Sequence, residues 1–237
     1  HFSGNRVGSS RAIFVPSVAH GAGLSVLSSS RSMGNDQSNG ANRMAIAAMA
    51  GVMKITKSQT LKLRDACLSY TVKGAGDDPS VPTMSRRDFR VAMAEVGVDD
   101  NDGEILDRLF TMWDKTGDDR VHTILFLTGI SPLASVMDVS TKLRFAFEVF
   151  DVNHEGSMRH GDVESILAAI NATASYFGDA VITSQQIEII VEDVFKSATS
   201  AVMEEKIRCD ELMDEMPSHP LVVQFASGGG TMRYGTK

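Results

Sequence analysis

The residues best equipped for chemistry lie between Asp151 and Asp162, in the run Asp-Val-Asn-His-Glu-Gly-Ser-Met-Arg-His-Gly-Asp. Oxygen-bearing side chains alternate at Asp151, Asn153 and Glu155, the Ser157 carbonyl follows, and Asp162 closes the run. Alternating hard oxygen donors, with a glycine (Gly156) at the sixth place to allow the turn, are what a twelve-residue calcium loop requires. Two departures set the expected strength. The closing place holds Asp162, one methylene shorter than the usual Glu, which favours a smaller six-coordinate site better suited to Mg²⁺. The ninth place holds Arg159, a fixed positive charge beside the cation. The reading predicts one weak Ca²⁺ site, tolerant of Mg²⁺.

Three other stretches carry fragments of the same pattern. Asp114 to Leu125 keeps Asp114, Thr116 and Asp118 at its first, third and fifth places. It puts Asp119 where glycine belongs and Leu125 where the bidentate carboxylate belongs, so it reads as a relic. The stretch TVKGAGDDPSVPTMSRRD is overlong and interrupted by Pro79 and Pro82, although Met84, Asp88 and Phe89 preserve its exit. The last runs from Thr199 to Glu211, one residue longer than the standard loop. Val202 stands at a ligand place there, and Glu204 and Glu205 are adjacent instead of alternating.

Loops of this kind need a helix on each side. Leu106, Leu109, Phe110 and Trp113 precede Asp114, and Leu143, Ala146, Phe147 and Phe150 precede Asp151. Spacings of three and four place each set on one helix face. Val163, Ile166, Leu167 and Ile170 continue the stripe beyond the third loop. The segments SRRDF, HTILF and RHGDV end at Phe89, Phe126 and Val163, 37 residues apart each time, and RCDEL ends at Leu212. A fixed period of this length marks repeated supersecondary units. The predicted fold is all-α: four helix–loop–helix units in two paired lobes, with largely degenerate loops. The expected divisions are a disordered tail over 1–55, a first pair over 56–134, a second over 135–216, and a C-terminal tail over 217–237.

The run KLRFAFEVFDVNHEGS, following SPLASVMDVST, resembles the third EF-hand of calcineurin B and calcineurin B-like proteins, a layout shared by neuronal calcium sensors. The resemblance extends over residues 57 to 225. Calaxin-type EF-hand proteins of ciliary outer dynein arms are similar too, through Asp88-Phe89-Arg90, Asp107-Arg108 and the run Phe147 to Asp151. The resemblance implies a regulatory or adaptor subunit that recognises a helical segment of a phosphatase, a kinase or a dynein-complex component. Calcium at more than one site is usual in both groups.

Paired units of this type present an apolar groove suited to an amphipathic helix. Leu221, Val222 and Phe225 in SHPLVVQFASGGG either dock back into that groove or pack as core of a last helix. Thirteen methionines suit an adaptable core or such a groove. A net charge of −7 argues against nucleic acid as the main partner. Two cysteines, Cys67 and Cys209, suit a reducing compartment, and no apolar run reaches the length of a membrane span. No nucleophile elbow, phosphate-cradling glycine loop or HExxH is present; GGGT at 228–231 is a lone cluster, and His154 and His160 read as solvated loop residues. The chain is therefore not expected to be an enzyme.

The N-terminal stretch has three readings. Before Asp36 it contains Arg6, Arg11 and Arg31 but no acid, as an organelle leader over 1–32 would. Met33 opens MGNDQS, a myristoylation pattern with Gly34 as acceptor if translation starts there, which also resembles the start of calcineurin B. A plain disordered tail is the third. The expected location is cytoplasmic, with membrane association only if Gly34 is acylated, a ciliary site under the calaxin resemblance, and an organelle under the leader reading.

Overall fold

A computed structural model describes residues 53–75, 80–134, 138–177, 181–198 and 205–227. The N-terminal motif with Gly34, the residues Val202 and Glu204 and the glycine cluster at 228–231 lie outside them. Nine α-helices and four three-residue strands are found among the described residues, in the order α1 (Lys57–Tyr70), β1 (Thr83–Ser85), α2 (Arg86–Glu95), α3 (Asp100–Trp113), β2 (Arg120–His122), α4 (Thr123–Ile130), α5 (Val139–Phe150), β3 (Ser157–Arg159), α6 (His160–Tyr176), α7 (Ser184–Ser197), β4 (Lys206–Arg208), α8 (Cys209–Glu215) and α9 (Pro220–Ser227). The architecture is mostly helical, as the apolar periodicity predicts, and each strand joins the two helices of one unit.

Local chemistry starts the helices where they start. Thr56 and Gln59 form a capping box at α1, and Thr183 and Gln186 form one at α7. Asp138 accepts the Thr141 N–H at the head of α5. Each such cap satisfies a backbone donor that has no partner within its helix. The strands pair antiparallel, β1 with β2 through Met84↔Val121, and β3 with β4 through Met158↔Ile207. All four of these central side chains are buried.

Two apolar clusters follow. In the first, the rings of Phe89, Phe110 and Phe126 meet with centroids 5.2 to 5.5 Å apart, and Trp113 stands edge-on to Phe126. The second gathers Phe147, Ile166, Ile190, Val191 and Leu212. The two clusters meet along α5. While Leu143, Ala146 and Phe147 of α5 face the second cluster, Phe145 and Val149 on the same helix enter the first, together with Tyr176 and Phe177. Polar contacts reinforce the seam: Arg64 donates to the Glu148 carbonyl at 2.8 Å, Tyr176 to the Met112 carbonyl at 2.6 Å, and Trp113 Nε1 to Thr173 Oγ1 at 3.3 Å. Gly129 of α4 lets α6 approach closely; a Cβ there would sit 2.7 Å from the Ala169 carbonyl oxygen.

The C-terminal stretch after residue 216 includes an ordered helix. Val222 and Phe225 of α9 are buried in the second cluster, and Leu221 packs against it. No helix among the described residues is long and apolar enough to cross a membrane.

Candidate metal centre

The third loop leaves α5 at Asp151, whose own N–H still bonds the Phe147 carbonyl at 2.9 Å. The Asp151 carboxylate then turns inward: one oxygen accepts the Glu155 N–H and the other the Gly156 N–H, both at 2.9 Å. That cradle winds the loop around its first ligand place. His154 and Gly156 take positive φ, 55° and 66°, and Gly156 does so without the penalty a Cβ brings. The chain passes into β3 and then α6, where Asp162 Oδ2 accepts the Arg159 N–H at 3.0 Å. Cys209 N–H bonds the Gly156 carbonyl at 2.9 Å and ties the loop to its partner unit.

The fifth-place carboxylate has a partner that sequence reasoning missed. Lys206 Nζ lies 2.6 Å from Glu155 Oε2. The Lys206 hydrogen bond first, and then its charge, hold the Glu155 carboxyl below its ordinary range; Arg159 and a hydrogen bond from Asn153 add to this against an opposing effect of burial. Lys206 stands opposite Arg159 in the β3–β4 register. The signal was available, because pairing Met158 with Ile207 puts their chain neighbours Arg159 and Lys206 across from each other.

The five sequence-predicted ligands therefore lie on one loop, and its three carboxylates already have protein partners. Asp151 is held by two backbone N–H groups, Asp162 by one, and Glu155 by an ammonium and Asn153. Ser157 lies in β3 opposite Arg208. Among the described residues no three His, Cys, Asp or Glu side chains gather as metal ligands. In chemistry the set fits a hard divalent cation: oxygen donors on a single loop with a glycine turn. What stands against it is the present partner of Glu155.

The second loop is closed by protein groups throughout. Asp114 accepts the Gly117 N–H at 2.8 Å and the Asp119 N–H at 3.0 Å, a cradle like that at Asp151 except that one donor comes from the fourth place of the loop and not the fifth. Asp119 takes φ 60° where the third loop has glycine. Arg86 Nε reaches its carboxylate at 2.6 Å, and the Arg86 N–H bonds its carbonyl at 3.1 Å. In place of an acid, His122 Nδ1 accepts the Leu125 N–H at 3.3 Å and caps α4; burial pushes the His122 pKa down to about 4. In the fourth loop Glu205 takes φ 55° two residues before Ile207, as Gly156 does before Met158. The span from helix cap to pairing residue, Ala198 to Ile207, is two residues longer than Asp151 to Met158. Counting from Thr199 finds only one of these extra residues, because the helix cap itself falls at Ala198.

Helix–loop–strand–helix units joined in pairs by short antiparallel strands, with a carboxylate-cradled loop after the first helix, decide the architecture. This is an EF-hand fold. No family model matches the chain. Over 94 residues, 40% of its length, it is 30% identical to a protein named calcium-binding protein NCSA from Dictyostelium discoideum. It is 26% identical over 94 residues to a type 2 calcineurin B protein from the same organism, which its name makes a calcineurin subunit. The matched region spans about half the length of these curated relatives, 48% in each case. The chain is thus similar to EF-hand proteins of the calcineurin B and calcium-sensor kind, as the FEVFD run implies.

Proposed function

We propose that the protein is a calcium-binding regulatory or adaptor subunit whose fold does not depend on metal, with one weak Ca²⁺ or Mg²⁺ site in its third loop. Asp151, Asn153, Glu155, the Ser157 carbonyl and Asp162 hold the ion. The observation that carries the reading is the contrast between loops: the second is closed by Arg86 and His122 and lacks a carboxylate at Leu125, whereas the third keeps oxygen donors at its first, third, fifth, seventh and twelfth places, with Arg159 at the ninth. A curated relative named as a calcineurin subunit supports action on a protein partner.

The partner is a helical segment, and its docking face is the one α9 covers. The apolar face of the first pair is filled by Phe145, Val149, Tyr176 and Phe177 of the chain itself. The face of the second pair is covered by Val222 and Phe225 from a helix of eight residues. A helix that short is marginal on its own, which makes it the cover that can leave. Beyond its apolar packing it is tied down at its head, where His219 Nδ1 accepts the Leu221 N–H at 3.3 Å and His219 Nε2 lies 3.4 Å from Asp193. The test is hydrophobic-dye fluorescence on the full chain and on a chain ending at Met216, each with Ca²⁺ and with chelator. Truncation should raise the signal severalfold in both conditions, and Ca²⁺ should change the full chain little. A large Ca²⁺-driven rise in the full chain would replace the adaptor reading with a calcium switch.

A further inference from the structure

We propose that Lys206 is a resident counter-cation of the third loop and sets its divalent affinity: Glu155 becomes available to a metal ion only by releasing the Lys206 ammonium. The proposal rests on the reading of that loop as the metal site. Lys206 belongs to the fourth unit, 51 residues from Glu155, and reaches it across the β3–β4 pair.

Three observations make this a competitor and not a passing surface pair. First, the ammonium is 2.6 Å from Glu155 Oε2, and the Lys206 side chain is 27% exposed, largely sheltered along the sheet. Second, its backbone cannot retreat. Ile207 beside it is fully buried against Met158, and the Gly156 carbonyl is tied to Cys209 just beyond. Whatever the loop binds, a positive charge stays close to the fifth ligand place. Third, Arg159 faces Lys206 in the strand register, so two cations flank the loop and both oppose the approach of a divalent ion. The second loop shows the same device: Arg86, from the other unit of its pair, takes Asp119 at 2.6 Å. In each pair a basic residue of one unit occupies an acid in the loop of the other.

The pair is half-exposed and modest in strength, so it is displaceable. It biases the site without blocking it. Glu155 gives up one partner on coordination, and the freed ammonium then stands beside a doubly charged ion well inside a Debye length. Removing the charge while keeping the chain length should therefore raise affinity, by roughly threefold to tenfold at low salt.

The experiment is calorimetric titration of the full chain with CaCl₂, and separately with MgCl₂, for wild type, Lys206→Met and Lys206→Arg. The expected result is tighter binding by Lys206→Met and wild-type-like weak binding by Lys206→Arg, with the gap narrowing in about 0.5 M NaCl, where screening is strong. In chelator, the melting temperature of Lys206→Met should fall slightly, and its rise on adding Ca²⁺ should exceed that of wild type. Equal affinities in all three chains would overturn the proposal and leave the metal reading intact. Equal tightening by Met and Arg would assign the effect to packing and overturn it as well. Absence of binding in every chain would remove the metal reading and the proposal with it.

Discussion

His122 gives the fold an acid-sensitive joint whose size can be worked out. Its Nδ1 accepts the Leu125 N–H at the head of α4, and burial lowers its pKa from the ordinary 6.5 to about 4. A group whose folded pKa lies below its unfolded value contributes stability above the unfolded pKa. That stability is lost as pH falls through 6.5 toward 4, because the unfolded chain takes up the proton first. Between about pH 7.5 and 5 the linkage amounts to about 2 kcal/mol, and it approaches about 3 kcal/mol below pH 4. The perturbation is His122→Asn, which keeps an acceptor suited to the cap but does not titrate. Urea unfolding of both chains at several values from about pH 7.5 to about pH 5 isolates the effect, since every other titrating group is common to the two. Wild type should lose about 2 kcal/mol more than the variant across that range. Parallel pH profiles would show that His122 is neither buried nor capping as described.

Further expectations concern packing and the loop. Gly129→Ala should destabilise by about 1–3 kcal/mol in denaturant titration, because the new Cβ would lie 2.4 Å from Trp113 Cζ2 and 2.7 Å from the Ala169 carbonyl oxygen, and the carbonyl is backbone that cannot swing aside. Trp113 fluorescence should shift in the same variant; a neutral substitution would mean α4 and α6 are not in the close contact described. Asp162→Glu should strengthen Ca²⁺ binding by restoring bidentate reach, and an unchanged or weaker affinity measured by calorimetry would count against that geometry.

Much of the scaffold is legible in the sequence because it rests on periodic apolar residues. The 37-residue repeat is reproduced as two strand pairs, with Met84, Val121, Met158 and Ile207 at their centres. The shared core is harder to see. A single face for α5, drawn through Leu143, Ala146, Phe147 and Phe150, leaves Phe145 and Val149 unexplained, and these are the residues that cross into the first cluster. A helix apolar on two sides is sandwiched, and that pattern is present in the letters. For Leu221, Val222 and Phe225 the sequence leaves core packing in a last helix and docking into a groove as equals, because the eight residues Pro220–Ser227 carry an apolar spacing that suits both. The ion pairs Arg86–Asp119 and Lys206–Glu155 join residues 33 and 51 apart, and only the strand register brings them together. The loop chemistry is therefore legible as a set of donors, but not as the set of partners those donors already have.

A metal-independent fold with a single weak site stands or falls on the number of divalent ions the full chain binds, set beside its helix content in chelator. Calorimetry with Ca²⁺ should return one weak event per chain, abolished by Asp151→Ala, while circular dichroism shows the same helical content with Ca²⁺ and with chelator. Two or more strong sites, or a chain that loses its helices when calcium is removed, would contradict it.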